Sequence, residues 1–428
     1  MKRNLLLVAS LFASLLASSQ VDENGYTTVN TSMEAQYAKQ VYYKFSDNTQ
    51  TSVAANSWDI AFQKSAGGMD LGAIRINDFK VTAIYESGNA STWSTTDVAN
   101  VANWTQLYNS VTEWSTGAFN TASDNTPSFG FAWGLYDMGT HLVNGTRVFV
   151  LQYGQGGTAT YKKMIIDNLN VQTVGGPTYT LKTSTLTGTT WSADQTVTAQ
   201  VATTSTANFV YLSLDTNTLV TVAPADTAWD FVFNKYYDVV TSPDGDIMYN
   251  LTGALTNNTT VAAVDEAGTL TSFTLPAETA YTADINGIGD KWKSFNGQAY
   301  SIPEKTYYVK TSDNKIYRMY FTSFAGGSTG NITFKYKEVT PTAGLDQFNK
   351  STFSIYPNPS ADKNITINHN LEAKGTVNVF TLTGANVFSE ELNNSGSQSL
   401  NLSSLSTGMY IVKIESGSYS ESKKLVIQ

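Results

Sequence analysis

Trp58-Asp59-Ile60-Ala61-Phe62 returns 171 residues later as Trp229-Asp230-Phe231-Val232-Phe233. Each copy follows a run rich in aromatic and β-branched residues, the types that suit a pleated strand: Tyr42-Tyr43-Lys44-Phe45 before the first, Phe209-Val210-Tyr211-Leu212 before the second. A second landmark keeps the same order, with Gly130-Phe131-Ala132-Trp133-Gly134-Leu135-Tyr136 against Gly289-Asp290-Lys291-Trp292-Lys293-Ser294-Phe295. Strand-like Val148-Phe149-Val150 and Tyr161-Lys162-Lys163-Met164 then answer to Tyr307-Tyr308-Val309 and Tyr317-Arg318-Met319-Tyr320. Between the last two, Thr311-Ser312-Asp313-Asn314-Lys315 has the Asp and Asn that a hairpin turn needs. The pattern predicts an all-β chain with two tandem β domains over residues 20–205 and 206–340, dividing where Thr and Ser accumulate at residues 203–207.

Composition points the same way. Charged residues make up 14% of the chain and aromatics 12%, with Thr, Ser, Asn and Gly abundant, a mixture that suits sheets with hydroxyl-rich outer faces and aromatic cores. Helical periodicity is scarce; residues 97–111 have room for one short helix. A formal charge of −9 and the lack of any Lys/Arg cluster argue against nucleic acid as a partner.

The two ends carry different information. Residues 1–19 combine Lys2 and Arg3, an apolar run and the small residues Ala17-Ser18-Ser19, the layout of a cleavable secretory signal peptide. That run is shorter than the roughly 20 residues that span a bilayer, and no second such segment follows, so no transmembrane span is expected. Cys is absent, which removes disulfides, zinc–thiolate sites, thiol nucleophiles and a lipid anchor from consideration.

At the other end, a linker over residues 341–352 leads into residues 353–428. There Tyr356-Pro357-Asn358-Pro359, Val377-Asn378-Val379-Phe380, Thr383-Gly384, Leu405-Ser406-Thr407-Gly408-Met409-Tyr410 and Lys423-Lys424-Leu425-Val426-Ile427-Gln428 read as short strands punctuated by Pro, Gly and Asn, a small immunoglobulin-like β-sandwich. This succession closely resembles the C-terminal sorting domain of the type IX secretion system. The resemblance implies export by that machinery, removal of both terminal segments, and a product secreted or held on the cell surface.

The second repeat invites its own comparison. Trp229-Asp230-Phe231-Val232-Phe233, Trp292-Lys293-Ser294-Phe295, Lys305-Thr306-Tyr307-Tyr308-Val309-Lys310-Thr311, Phe321-Thr322-Ser323-Phe324 and Gly330-Asn331-Ile332-Thr333-Phe334-Lys335-Tyr336 together resemble the HmuY family of Bacteroidetes haem-binding proteins. The likeness is good over residues 206–340 and looser over 40–170. It implies two tandem HmuY-like domains in a haemophore-like protein. Such a protein takes haem or porphyrin from host carriers and passes it to a TonB-dependent outer-membrane receptor.

Haem iron takes imidazole, thioether, thiolate or phenolate ligands. The family is associated with two-histidine ligation, yet this chain has two His in total, one of them His369 in the sorting tail. His141 is the one left in the repeats, so two-histidine ligation within the chain would require the tail to fold back. Within Tyr136-Asp137-Met138-Gly139-Thr140-His141, Met138 and His141 offer a thioether and an imidazole, a known axial combination, and Tyr300, the residue matching His141 by count, offers a phenolate. These three are the candidate haem-binding residues. Met69, Met164, Met248 and Met319 are the other thioethers considered, and Met164 and Met319, in strands beside aromatics, read as core. Trp58, Trp133, Trp229 and Trp292 read as packing, and Asp59 and Asp230 as acceptors for turn N–H groups.

No nucleophile elbow, His-Glu-x-x-His helix or phosphate-cradling loop is present, and no carboxylate pair is set up for hydrolysis, so catalysis is not expected. Asp244-Gly245-Asp246 is explained by a turn and Asp265-Glu266 by a solvated edge. The competing function is a surface adhesion or interaction protein using the same β scaffold without haem.

Overall fold

A computed structural model describes residues 20–64, 71–123, 130–242, 244–266, 273–341, 353–369, 371, 374–392, 396–417 and 419–428. The signal-peptide reading of residues 1–19, Met69 and most of the 341–352 linker lie outside the described residues. The chain forms two compact units, residues 1–339 and 340–428.

Among its described residues the larger unit is all β apart from short 3₁₀ turns, one of which, Val98–Asn103, occupies the stretch expected to hold a helix. Asp97 caps that turn, its carboxylate accepting from the Ala99 N–H at 3.0 Å. The hairpin predicted at residues 311–315 is present: Thr306–Lys310 pairs with Ile316–Phe324, and the Thr311 N–H donates to Lys315 O across the turn. Asp244-Gly245-Asp246 is likewise a turn, joining Phe231–Ser242 to Gly245–Thr256.

Strand partners do not follow the division expected near residue 205. The strand carrying the first Trp-Asp motif, Ile60–Gln63, pairs with Phe209–Ser213, the strand preceding the second motif. The strand carrying the second motif, Phe231–Ser242, pairs with Lys39–Lys44, which precedes the first. The flanking strands obey the same rule: Thr27–Ser32 lies against Asn331–Glu338, whereas Gln195–Gln200 lies against Thr178–Thr187.

Each repeat therefore lends its opening strands to the other. One body runs continuously from Ile60 to Val220, with a nine-stranded and a four-stranded sheet. The other joins Gln20–Ala54 to Phe231–Glu338, with a six-stranded sheet, a four-stranded sheet and a small hairpin. The cores confirm the partition. One cluster contains Ile60, Phe62, Trp133, Met164 and Leu212; another contains Val29, Tyr43, Phe45, Phe233, Trp292, Met319 and Phe334. Stacked and edge-to-face rings fill the second, such as Trp292 on Phe321 at 4.0 Å and Phe45 on Tyr317 at 4.6 Å.

The motif aspartates fasten the exchange. Asp59 is fully buried and accepts from the Leu214 N–H (2.7 Å), Lys80 Nζ (2.8 Å) and the Tyr153 hydroxyl (2.8 Å). Asp230 accepts from the Phe45 N–H at 2.7 Å and Lys44 Nζ at 2.8 Å. In both cases a backbone N–H of one repeat's opening hairpin ends on the other repeat's carboxylate. These are structural acceptors, as their place beside the tryptophans indicated.

The smaller unit packs a three-stranded sheet against a four-stranded one around Phe353, Ile367, Val379, Tyr410, Val412 and Leu425. This is the predicted small sandwich. His369 sits within it, buried, on the strand Asn364–His369.

Candidate functional site

The candidate ligands fall on two hairpins. Met138 and His141 occupy the turn between Gly134–Asp137 and Leu142–Gly145. Asp137 organises that turn, its Oδ1 accepting from the N–H groups of Gly139 (2.7 Å) and Thr140 (3.3 Å); these bonds hold its carboxyl below the usual aspartate range. The His141 N–H donates to Asp137 O, and the residue adopts a left-handed φ of 58°. Its Nδ1 lies 2.7 Å from the Tyr136 hydroxyl. Met138 is 69% exposed, so both groups sit on a solvent-facing tip with no shared wall around them.

Tyr300 stands on a different hairpin, Ser294–Phe295 paired with Tyr300–Ser301, in the other body. Counting from Trp133 and Trp292 matches it to His141, but the ladders do not. Phe295 faces Tyr300 directly, while its counterpart Tyr136 faces Val143, because the second four-residue turn begins one position earlier, counted from its Trp. The structure thus does not bring Tyr300 together with His141 and Met138.

Around Tyr300 the surroundings are richer. Its ring packs on Phe295 at 4.8 Å and edge-on to Phe324 at 4.7 Å. Phe324 in turn stacks with Tyr37 at 6.3 Å. The hydroxyls of Tyr37 and Tyr300 interact, and burial, helped by this neighbour, pushes Tyr37 up to about 12. Gly326 makes the close approach possible: its φ is +64°, and a Cβ there would meet Tyr300 Cε2 at 3.0 Å. Phe295 (56% exposed) and Tyr300 (37% exposed) form an accessible aromatic shelf.

Two ammonium groups flank the shelf. Lys293 donates to Thr252 O and lies over the rings of Trp292 (4.6 Å) and Phe324 (5.4 Å), and burial brings it down to about 8 despite the pull of Asp290. Lys235 Nζ lies 5.8 Å from the Tyr37 ring, and burial lowers its pKa too.

The remaining thioethers divide as follows. Met164 and Met319 are fully buried, as their strand positions indicated, and Met248 is partly exposed on the long hairpin next to Tyr249. His369 lies in the smaller unit, and burial lowers its pKa.

A third place was not foreseen. Where the two bodies meet, Trp58, Trp114, Trp229, Tyr42 and Tyr211 enclose a cleft that also reaches Asp78 and Asp226. It holds about 50 Å³ of free space, enough for a few water-sized groups at ~10–15 Å³ each and too little for a tetrapyrrole. Its existence depends on strand exchange, which left no local signal in the sequence.

Comparison with known families assigns two parts of the chain. Residues 205–336 match the family model for HmuY protein, and residues 354–428 match that for the secretion system C-terminal sorting domain. No curated protein matches the chain. Neither kind of domain is enzymatic, and no helix among the described residues is long and apolar enough to cross a membrane. The chain therefore joins a HmuY-family segment to a C-terminal sorting domain, and that domain directs it by type IX secretion to the cell surface or the extracellular space.

Proposed function

We propose that the exported protein binds haem or a related porphyrin outside the cell, with the earlier repeat a second, diverged HmuY-like copy. The observation that carries this reading is the aromatic shelf around Tyr300, which lies within the segment matching the HmuY family. Phe295 and Phe324 offer apolar surface to a macrocycle, Tyr300 a phenolate for ferric iron, and Lys293 and Lys235 positive charge for propionates. Met138 and His141 are the alternative iron ligands, on the other body. Host haem carriers as source and a TonB-dependent receptor as recipient belong to the same proposal.

The test is a hemin titration of the chain from residue 20 onward, followed in the Soret region, beside Tyr300→Phe, His141→Ala and Met138→Ala. A saturable, sharpened band that fades in Tyr300→Phe and persists in the other two is the expected result. Fading only in the His141 or Met138 variants moves the site to the exposed tip. A titration that never saturates retires haem for this chain.

A second reading, a surface interaction protein without haem, draws on the long hairpin Phe231–Ser242/Gly245–Thr256. Its outer half exposes Val239, Ile247, Met248 and Tyr249.

A further inference from the structure

The seam between the bodies has approximate two-fold character. Tyr42 and Tyr211 hold equivalent places in the two exchanged strands, each three residues before the residue whose N–H donates to a motif aspartate, and both pack in the apolar cluster at the seam. Asn77 Nδ2 donates to Trp58 O at 2.9 Å, and Asn257 Nδ2 to Trp229 O at 3.3 Å.

The symmetry fails at two positions, and both failures face the cleft. Trp58 Nε1 donates to Gln40 Oε1 at 3.2 Å. Gln40 lies two residues before Tyr42; the residue two before Tyr211 is Phe209, which has no acceptor. Trp229 Nε1 accordingly finds no partner among the described residues, although Trp229 is only 8% exposed. The second failure follows the paired asparagines, where Asp78 stands in one repeat and Asn258 in the other. Asp78 Oδ2 accepts from Asn109 Nδ2 at 2.9 Å, but its Oδ1 is buried without a partner. Two side chains that line one small space thus carry, among the described residues, an unpartnered donor and an unpartnered acceptor.

The chemistry of the walls narrows what would satisfy them. Arg75 is spent on backbone carbonyls, donating to Glu113 O, Thr116 O and Ser110 O, and its guanidinium lies 5.0 Å over the Trp114 ring. With Asp78 and Asp226 nearby, no free cation remains for an anionic ligand among the described residues of the lining. The indole faces offer stacking surface to C–H groups, and a hydroxyl both accepts from an indole N–H and donates to a carboxylate.

We propose that this cleft binds a small, uncharged, polyhydroxylated ligand: the edge of one sugar ring, whose hydroxyls accept from Trp229 Nε1 and donate to Asp78 Oδ1. The site is separate from the Tyr300 shelf and does not depend on the haem reading. A free monosaccharide and the terminal residue of a glycan present the same chemistry.

The test titrates the chain from residue 20 onward with methyl α-D-glucoside, methyl β-D-galactoside, N-acetylglucosamine and their short oligosaccharides, by tryptophan fluorescence and calorimetry. Saturable binding of at least one probe is expected. In Phe209→Gln, which gives Trp229 the acceptor that Gln40 gives Trp58, binding should weaken about tenfold; Trp229→Phe should do the same. Near-UV dichroism and melting of each variant establish that it is folded. Binding by free methyl glycosides indicates a monosaccharide site, and binding by oligosaccharides alone a glycan end; both support the proposal. Saturation by no probe, equal affinity in both folded variants, or a high-resolution crystal structure with ordered water alone on the two atoms after soaking would overturn it.

Discussion

Replacing Asp59 by alanine removes the acceptor on which three donors converge, and the structure says which of them suffer. Lys80 keeps a second carboxylate, Asp215 Oδ2 at 2.8 Å, so its charge is not stranded. The Leu214 N–H and the Tyr153 hydroxyl lose the partners they have at 2.7 and 2.8 Å in a fully buried place. Two orphaned donors at about 1–3 kcal/mol each, offset by relief of a buried charge, leave a loss of about 3 kcal/mol. For a unit of roughly 320 residues, unfolding entropy near 2.1 cal/mol/K per residue turns this into a melting shift of about 4–5 °C. Asp230→Ala should cost less, about 1–2 kcal/mol, because Lys44 can turn to water and one N–H, that of Phe45, is left behind. Calorimetry of the whole chain reads both, and the separate sorting unit serves as an internal reference. Amide exchange at Leu214 should accelerate in the first variant and not in the second. A shift below about 1 °C for Asp59→Ala, or equal shifts for the two variants, would refute the assignment of these carboxylates as the fasteners of the exchange.

Burial pushes Asp78 up to about 6, against the Asn109 hydrogen bond and the charge of Arg75, which pull it down. The folded state then holds a proton that the unfolded chain releases, so stability falls as pH rises from about 4 to about 6 and stays lower above that. Asp78→Asn should flatten this slope and raise stability at pH 7 by up to about 3 kcal/mol; urea midpoints across the range check it, and an unchanged slope contradicts it. Residues 194–340 alone should fold by closing on themselves, with Gln195–Gln200 taking the place of Thr27–Ser32 and Phe209–Ser213 that of Lys39–Lys44. Residues 224–340 alone lack both sets of strands and should show no cooperative melt until a peptide of residues 20–56 is added. A cooperative melt without the peptide would mean that the borrowed strands are dispensable.

Much of this was legible. The Trp-Asp recurrence, the hairpin at residues 311–315, the core placement of Met164 and Met319, and the sandwich at the end all followed from alternation and turn chemistry. The exchange was not, because Tyr42-Tyr43 and Tyr211-Leu212 are interchangeable to a ladder. Sequence specifies the kind of neighbour a motif strand needs but not which copy provides it. Counting matched Tyr300 to His141, but the second turn begins one position earlier, which shifts the ladder so that the two places do not correspond. The seam cleft was hidden for the same reason as the exchange. Phe209 in place of Gln40 becomes meaningful only once each is known to lie near the other repeat's tryptophan or its own.

The pairing of Thr27–Ser32 with Asn331–Glu338 has a mechanical consequence. The chain that leads to the sorting unit continues from Asn331–Glu338, and that strand is held on both sides, by Thr27–Ser32 and by Ile316–Phe324. A pull on the tail, from whatever machinery grips it during export, therefore reaches a strand embedded between two ladders rather than a free edge. Both ladders must yield before that strand leaves the sheet, so the load is shared between the first and the last strands of the unit. A fold that recruited its opening strands to complete its closing sheet has reinforced the point from which it is hauled.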